Sequence, residues 1–174
     1  MTRALTRFAL LALLACTQLA GCSAISSVTK SVSSAIGLGP RAVTPDWRSV
    51  TITASDDANG NSPVAIDLVF VRDQALLDTL TKTPAARWFS SRTDIVQSFP
   101  EGVGVLSYEL VPKQSIRVAE AAFEKQRAFG VLAFANYPLP GEHRVRLKLD
   151  AEAYLVQLGA NGFQASEVKP AAAR

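Results

Sequence analysis

The stretch Ser49-Val-Thr-Ile-Thr-Ala54, a polar loop, and then Val64-Ala-Ile-Asp-Leu-Val-Phe-Val71 decides the architecture. In its first part Val50, Ile52 and Ala54 alternate with Ser49, Thr51 and Thr53. That period of two belongs to a strand with one buried face. The second part is apolar almost throughout and is broken only by Asp67. Such a run reads as a central strand buried on both faces. Between the two, Asp56-Asp-Ala-Asn-Gly-Asn-Ser-Pro63 is dense in residues that favour turns.

C-terminal to this pair, Leu76, Leu77 and Leu80 have helical spacing within Asp73–Leu80. Thr83-Pro84 reads as a helix N-cap followed by Pro at the first helical position. It opens a second short helix through Trp88 and Phe89. Strand patterns then resume over Val103–Val111, Ser115–Ala122, Ala128–Asn136, Arg144–Leu149 and Ala153–Leu158, with Phe163–Val168 as an edge strand. Turns fall at Pro112-Lys113, Tyr137-Pro138, Pro140-Gly141 and Gly159–Gly162. Seven to eight short strands with regular turn signals predict a mainly β protein, a β-sandwich with a short helical insertion after the second strand. No βαβ alternation is present, so a parallel sheet is not expected. The sandwich is assigned to residues 47–168, and residues 169–174 are read as a disordered tail.

N-terminal to the sandwich the chemistry is different. Residues 1–21 carry Arg3 and Arg7 and then an apolar run from Phe8 to Cys16. The run is too short for a bilayer, which takes roughly 20 apolar residues. This is the pattern of an export signal, to be set aside before the fold is considered. Residues 22–46 are rich in Ser, Gly and Pro and show no sustained period, so they read as a flexible tether. An alternative is a short amphipathic helix through Ile25, Val28, Val32 and Ile36 on a lipid surface.

Placing the charges along the chain changes their meaning. The 174 residues hold 18 basic and 15 acidic groups, a net charge of +3. Cleavage before Cys22 removes 21 residues, Arg3 and Arg7 among them, and leaves 153 residues with 16 basic and 15 acidic groups. A nearly neutral domain gives no reason to expect nucleic acid. Both cysteines, Cys16 and Cys22, lie before the sandwich, so the fold must hold by its core without a disulfide.

Few residues offer catalytic chemistry. His143 is the only histidine and sits at a turn, with no GxSxG elbow to pair with it. One histidine is a poor start for zinc. Asp56, Asp57, Asn59 and Asn61 faintly suggest a calcium loop, but the acid that closes such a loop is missing. Arg144, Arg146 and Lys148 place three positive charges on one strand face, read as solvated. Asp67 must find a partner if it is buried, and a loop or a helix N-terminus is expected to supply it. The Trp88-Phe89 pair is expected to pack the helical insertion onto the sandwich. No enzyme activity, metal, cofactor or small-molecule substrate is expected.

Two resemblances add to this reading. Leu19-Ala20-Gly21-Cys22 resembles the lipobox of bacterial lipoproteins. It implies a diacylglycerol thioether and an N-acyl chain on Cys22. Ser23, where Asp would imply retention in the inner membrane, implies the outer membrane. The order of segments also resembles the TssJ family, the outer-membrane lipoproteins of the type VI secretion membrane complex. The resemblance is carried by the lipobox, the loop Asp57–Pro63, the strand Val64–Val71 with Arg72-Asp73-Gln74, the helix Ala75–Leu80, Glu109-Leu-Val-Pro112-Lys-Gln114, and Phe129–Phe134 with Asn136. It implies a transthyretin-like β-sandwich in the periplasm. It also implies a structural role: binding the periplasmic C-terminal region of a TssM-like inner-membrane protein. The loop between the first two strands would share in that contact, here Asp56, Asp57, Ala58, Asn59, Gly60, Asn61 and Ser62. The segment Arg87–Arg92 does not match the family pattern. A second reading is an outer-membrane lipoprotein whose sandwich binds a glycan or peptidoglycan, which calls for exposed aromatic rings.

Overall fold

The computed structural model describes residues 41–169. The export signal, Cys22, most of the tether and residues 170–174 lie outside the described residues. The strands are β1 (Ser49–Ala54), β2 (Val64–Val71), β3 (Val103–Leu110), β4 (Ser115–Ala119), β5 (Gly130–Ala135), β6 (Arg144–Leu147), β7 (Ala153–Leu158) and β8 (Phe163–Glu167). Helices α1 (Gln74–Leu80) and α2 (Ala85–Ser98) join β2 to β3. One sheet runs β4-β1-β7-β8 and the other β3-β2-β5-β6.

β2 shows why the sandwich forms. Val64, Ile66, Leu68 and Phe70 face the opposite sheet and join its core. Val69 and Val71 face outward into a second core with Leu76, Leu77, Leu80, Trp88 and Phe134. Both faces are therefore covered, one by the other sheet and one by the helices, as the unbroken apolar run predicts. β5 repeats the arrangement, with Val131, Ala133 and Ala135 inside and Leu132 and Phe134 under the helices. Each buried Val, Leu, Ile or Phe removes apolar area worth about 1.5–3 kcal/mol from water. At the start of β1, Trp47 is wholly buried, edge-on to Phe123 and Tyr154 at 5.4 Å. Its Nε1–H donates to Lys148 O at 2.7 Å, so the indole is satisfied as well as packed.

Several expectations are corrected. β1 pairs in parallel with β7, Ser49 opposite Ala153 through Ala54 opposite Leu158. A pair separated by about 100 residues leaves no local pattern in the sequence, although the other pairs are antiparallel. The tether ends earlier than residue 46. Val43 and Ala128 exchange two backbone hydrogen bonds at 3.0 and 2.9 Å, and the Asp46 N–H donates to Leu149 O. The second helix is 14 residues long rather than short. Its cap is Pro84 itself, in extended conformation, while Thr83 Oγ1 donates back to Thr79 O. Asp73 is the side-chain cap, its carboxylate accepting from the Leu76 N–H at 2.7 Å at the start of α1.

Asp67 is also resolved differently. It is fully buried, and its partner is neither a loop nor a helix N-terminus but the middle of α2. The Trp88 Nε1–H donates to Asp67 Oδ2 at 2.8 Å and the Arg92 guanidinium lies 3.1 Å from the same oxygen. Trp88 is stacked on Phe134 at 5.2 Å and fully buried; Phe89 is half-buried. The three cations of the β6 region are engaged unevenly. Arg144 donates to Thr83 O and pairs with Glu142 at 2.7 Å, while Lys148 lies beyond the strand and pairs with Glu167 at 2.7 Å.

Candidate functional site

The sandwich has two poles. The described chain enters beside the starts of β1, β5 and β7, where Arg127 Nε–H also donates to Ala42 O. The loop between β1 and β2 lies at the opposite ends of those strands. A six-residue strand at about 3.3 Å per residue separates entry from loop by roughly 20 Å. At the loop pole the β1–β2 loop meets the β3–β4 turn and the β7–β8 turn.

The loop is built, not loose. Ser55 Oγ–H donates to Asp57 Oδ1 at 2.7 Å. The Ala58 and Gly60 N–H groups donate to Ser55 O and Asp57 O at 3.1 Å, closing a single 3₁₀ turn over Ala58–Gly60. Asn59, Gly60 and Asn61 then hold φ of 49°, 61° and 64° in succession. Left-handed backbone costs most residues about 1–2 kcal/mol and Gly and Asn least, which accounts for the Asn-Gly-Asn run. Asn59 Nδ2–H donates to Pro63 O at 2.7 Å, and the Asn59 N–H donates to Gly159 O of the β7–β8 turn.

From the other side, the Tyr137 hydroxyl lies 3.1 Å from Gly159 O and 2.8 Å from Gly162 O. Burial pushes that hydroxyl up to about 12. His143 packs its ring 4.9 Å from Tyr137, with Nε2 2.9 Å from Leu139 O. The only histidine is thus a turn residue that supports this clamp.

The structure turns the seven expected loop residues in different directions. Asp56, Asp57, Gly60, Asn61 and Ser62 are exposed, Asn59 is half-buried, and Ala58 points into the main core. Ala58 therefore anchors the loop and offers no side chain outward. Asp56 meets Lys113 at 3.6 Å, an exposed pair worth little in water. The loop stands between two hollows. One, of about 630 Å³, is lined on the β1–β7–β8 side by Thr53, Ser55, Gln157 and Gln164 among others. The other, of about 320 Å³, is lined on the β2–β3 side by Asn59, Ser62, Glu109 and Asn136 among others. Sequence reading missed Glu109 and Asn136, since nothing local marks strand-end residues that meet across a sheet. Among the described residues no three His, Cys, Asp or Glu side chains converge as a metal site would require. The large aromatic rings Trp47, Trp88, Phe70, Phe123 and Phe134 are turned inward, away from both hollows.

No protein-family model matches the sequence. No curated protein matches it at a significant level either. Solved structures do match. The chain resembles Lip of Serratia marcescens, a membrane-bound component of the type VI secretion system, with 14% identity and a TM-score of 0.50 over 73% of this chain and 99% of that one. It resembles the type VI secretion lipoprotein TssJ1 of Pseudomonas aeruginosa with 14% identity and a TM-score of 0.51, over 71% of this chain and 95% of that one. The two four-stranded sheets and their helical cover thus form a transthyretin-like sandwich, and its fold is that of the type VI secretion lipoproteins Lip and TssJ1.

Proposed function

We propose that this protein is a structural lipoprotein of a type VI secretion membrane complex. It is anchored in the outer membrane through diacylglycerol and an N-acyl chain on Cys22. Its Asp56–Ser62 pole docks on the periplasmic C-terminal region of a TssM-like inner-membrane protein. The observation that carries the reading is the fold likeness over nearly the full length of two such lipoproteins. The Leu19-Ala20-Gly21-Cys22 sequence ahead of the sandwich agrees with it. The polarity of the domain supports it too. The chain enters at one pole, and the ordered, acidic loop stands at the other, where it can face a second protein. Loops on a rigid scaffold are the usual place for such contacts. The role is assembly, not catalysis.

The test is a pull-down of the purified periplasmic region of a TssM-like protein by the full-length chain. Replacing Asp56 and Asp57 together by Lys is expected to weaken capture at least tenfold. The thermal transition should stay in place, because both side chains are exposed. Undiminished capture by the charge-reversed chain would place the contact elsewhere.

A further inference from the structure

The hollow between the loop and β3 has a one-sided chemistry. Its floor is Ala65, which stands opposite Glu109 in the β2–β3 register and whose carbonyl accepts from the Asn136 N–H at 2.8 Å. Glu109 and Asn136 flank that floor, and Asn59 and Ser62 of the loop complete the wall. Val69 and Val71 on this outer face lie under the helices, whereas the hollow at Ala65 is open. Glu109 is exposed and makes no ion pair among the described residues. No Lys or Arg lines the hollow. The nearby Lys113 is already paired with Asp56.

A second observation is independent of that carboxylate. Asn59 commits its Nδ2 to Pro63 O, which can only accept, and this fixes the amide's orientation. Its Oδ1 is left buried without a donor. A buried acceptor without a partner costs about 1–3 kcal/mol and calls for an explanation. The wall thus presents a free carboxylate and an orphaned amide oxygen, together with the Asn136 amide and the Ser62 hydroxyl. What it lacks is a cationic donor. A guanidinium carries five N–H donors in a planar fork and pairs with a carboxylate through two of them. About 320 Å³ is room enough for one such side chain.

We infer that this hollow receives an arginine side chain of the partner protein, with Glu109 as its counter-ion. The inference rests on the docking role proposed above and adds to it the chemistry of the partner's anchor.

The experiment uses the full mature chain in detergent and a small probe, N-acetyl-arginine amide. N-acetyl-citrulline amide, which has the same shape without the charge, is the control. Amide resonances of Ala65, Glu109 and Asn136 are expected to shift saturably with the arginine probe at millimolar concentration. They should move at least fivefold less with the citrulline probe. Glu109→Gln, an isosteric change at an exposed position, should abolish the difference and weaken capture of the TssM-like region about tenfold. Equal shifts with both probes, or none with either, would overturn the inference. If the partner is captured equally well by Glu109→Gln and the probe does not bind, the hollow is wrong and the docking role stands. Probe binding without any partner capture would support the hollow and remove the docking role.

Discussion

Asp67 is the residue on which the helical layer turns. A carboxylate inside an apolar strand is costly unless it is hydrogen-bonded and paired. Here α2 brings both needs from one helix face, the Trp88 Nε1–H and the Arg92 guanidinium four residues on. The ring of Phe89 lies beside the same guanidinium, its centroid 5.4 Å from the Arg92 carbon. Arg92 remains 44% exposed, so the pair is worth less than a wholly buried one, whose disruption costs about 3–5 kcal/mol. Arg92→Ala is expected to cost about 2 kcal/mol in urea unfolding, because it leaves Asp67 with the indole alone. Adding Asp67→Asn to Arg92→Ala should cost less than the two single changes summed, with a coupling of about 1 kcal/mol. Strict additivity would show that the contact carries no energy. The sequence showed that Asp67 needed a partner but not which one. The answer lay in Arg87–Arg92, the stretch that matched no family pattern.

At the scale of elements, strands were legible because their signal is local. Alternation marks β1, and the unbroken apolar run marks β2, with the structure placing Val64–Val71 where the pattern does. β4 and β6 end earlier than their apolar patterns, because Glu120–Ala122 turns into a 3₁₀ segment and Lys148 leaves the ladder to pair with Glu167. α2 was underestimated for a related reason. Only Ala85 and Trp88 are fully buried along its 14 residues, so its apolar stripe is thin. Ile95 still packs on the second core, at helical spacing from Trp88 and Arg92. The parallel β1–β7 pair and the Tyr137 clamp were not legible, since both join segments far apart in sequence.

The Tyr137 clamp gives a pH prediction. The hydroxyl's ordinary value is 10.0, and burial raises it to about 12 in the folded chain. Its contribution is therefore complete below pH 10 and is lost as pH rises towards 12, because the unfolded chain ionises first. Tyr137→Phe should flatten the fall in the urea midpoint between pH 10 and 12 relative to the parent. An unchanged slope would mean that other groups cause the fall. Tyr108 and Tyr154 are raised by burial as well, so the parent's slope is shared and the difference between the two proteins is the quantity to read.

At the scale of the molecule, the sandwich separates two tasks. One pole takes the chain in, tied down by Val43, Asp46 and Arg127. The other presents a loop held in left-handed conformation by Asn59, Gly60 and Asn61 and pinned from below by Ala58. The export signal and lipobox read in the sequence fit a domain held at its first pole, and the acidic loop fits a partner at its second. The net charge and the two cysteines, which lie in or beside the export signal, say little about this domain. Its cores, loop and hollows say more. The measurement that tests the central claim most directly is affinity isolation of the full-length chain from detergent-solubilised envelopes of its own cells. The account predicts that a TssM-like inner-membrane protein elutes with it. Recovery of the intact, membrane-anchored chain without that protein, under conditions that keep other envelope complexes together, would contradict it.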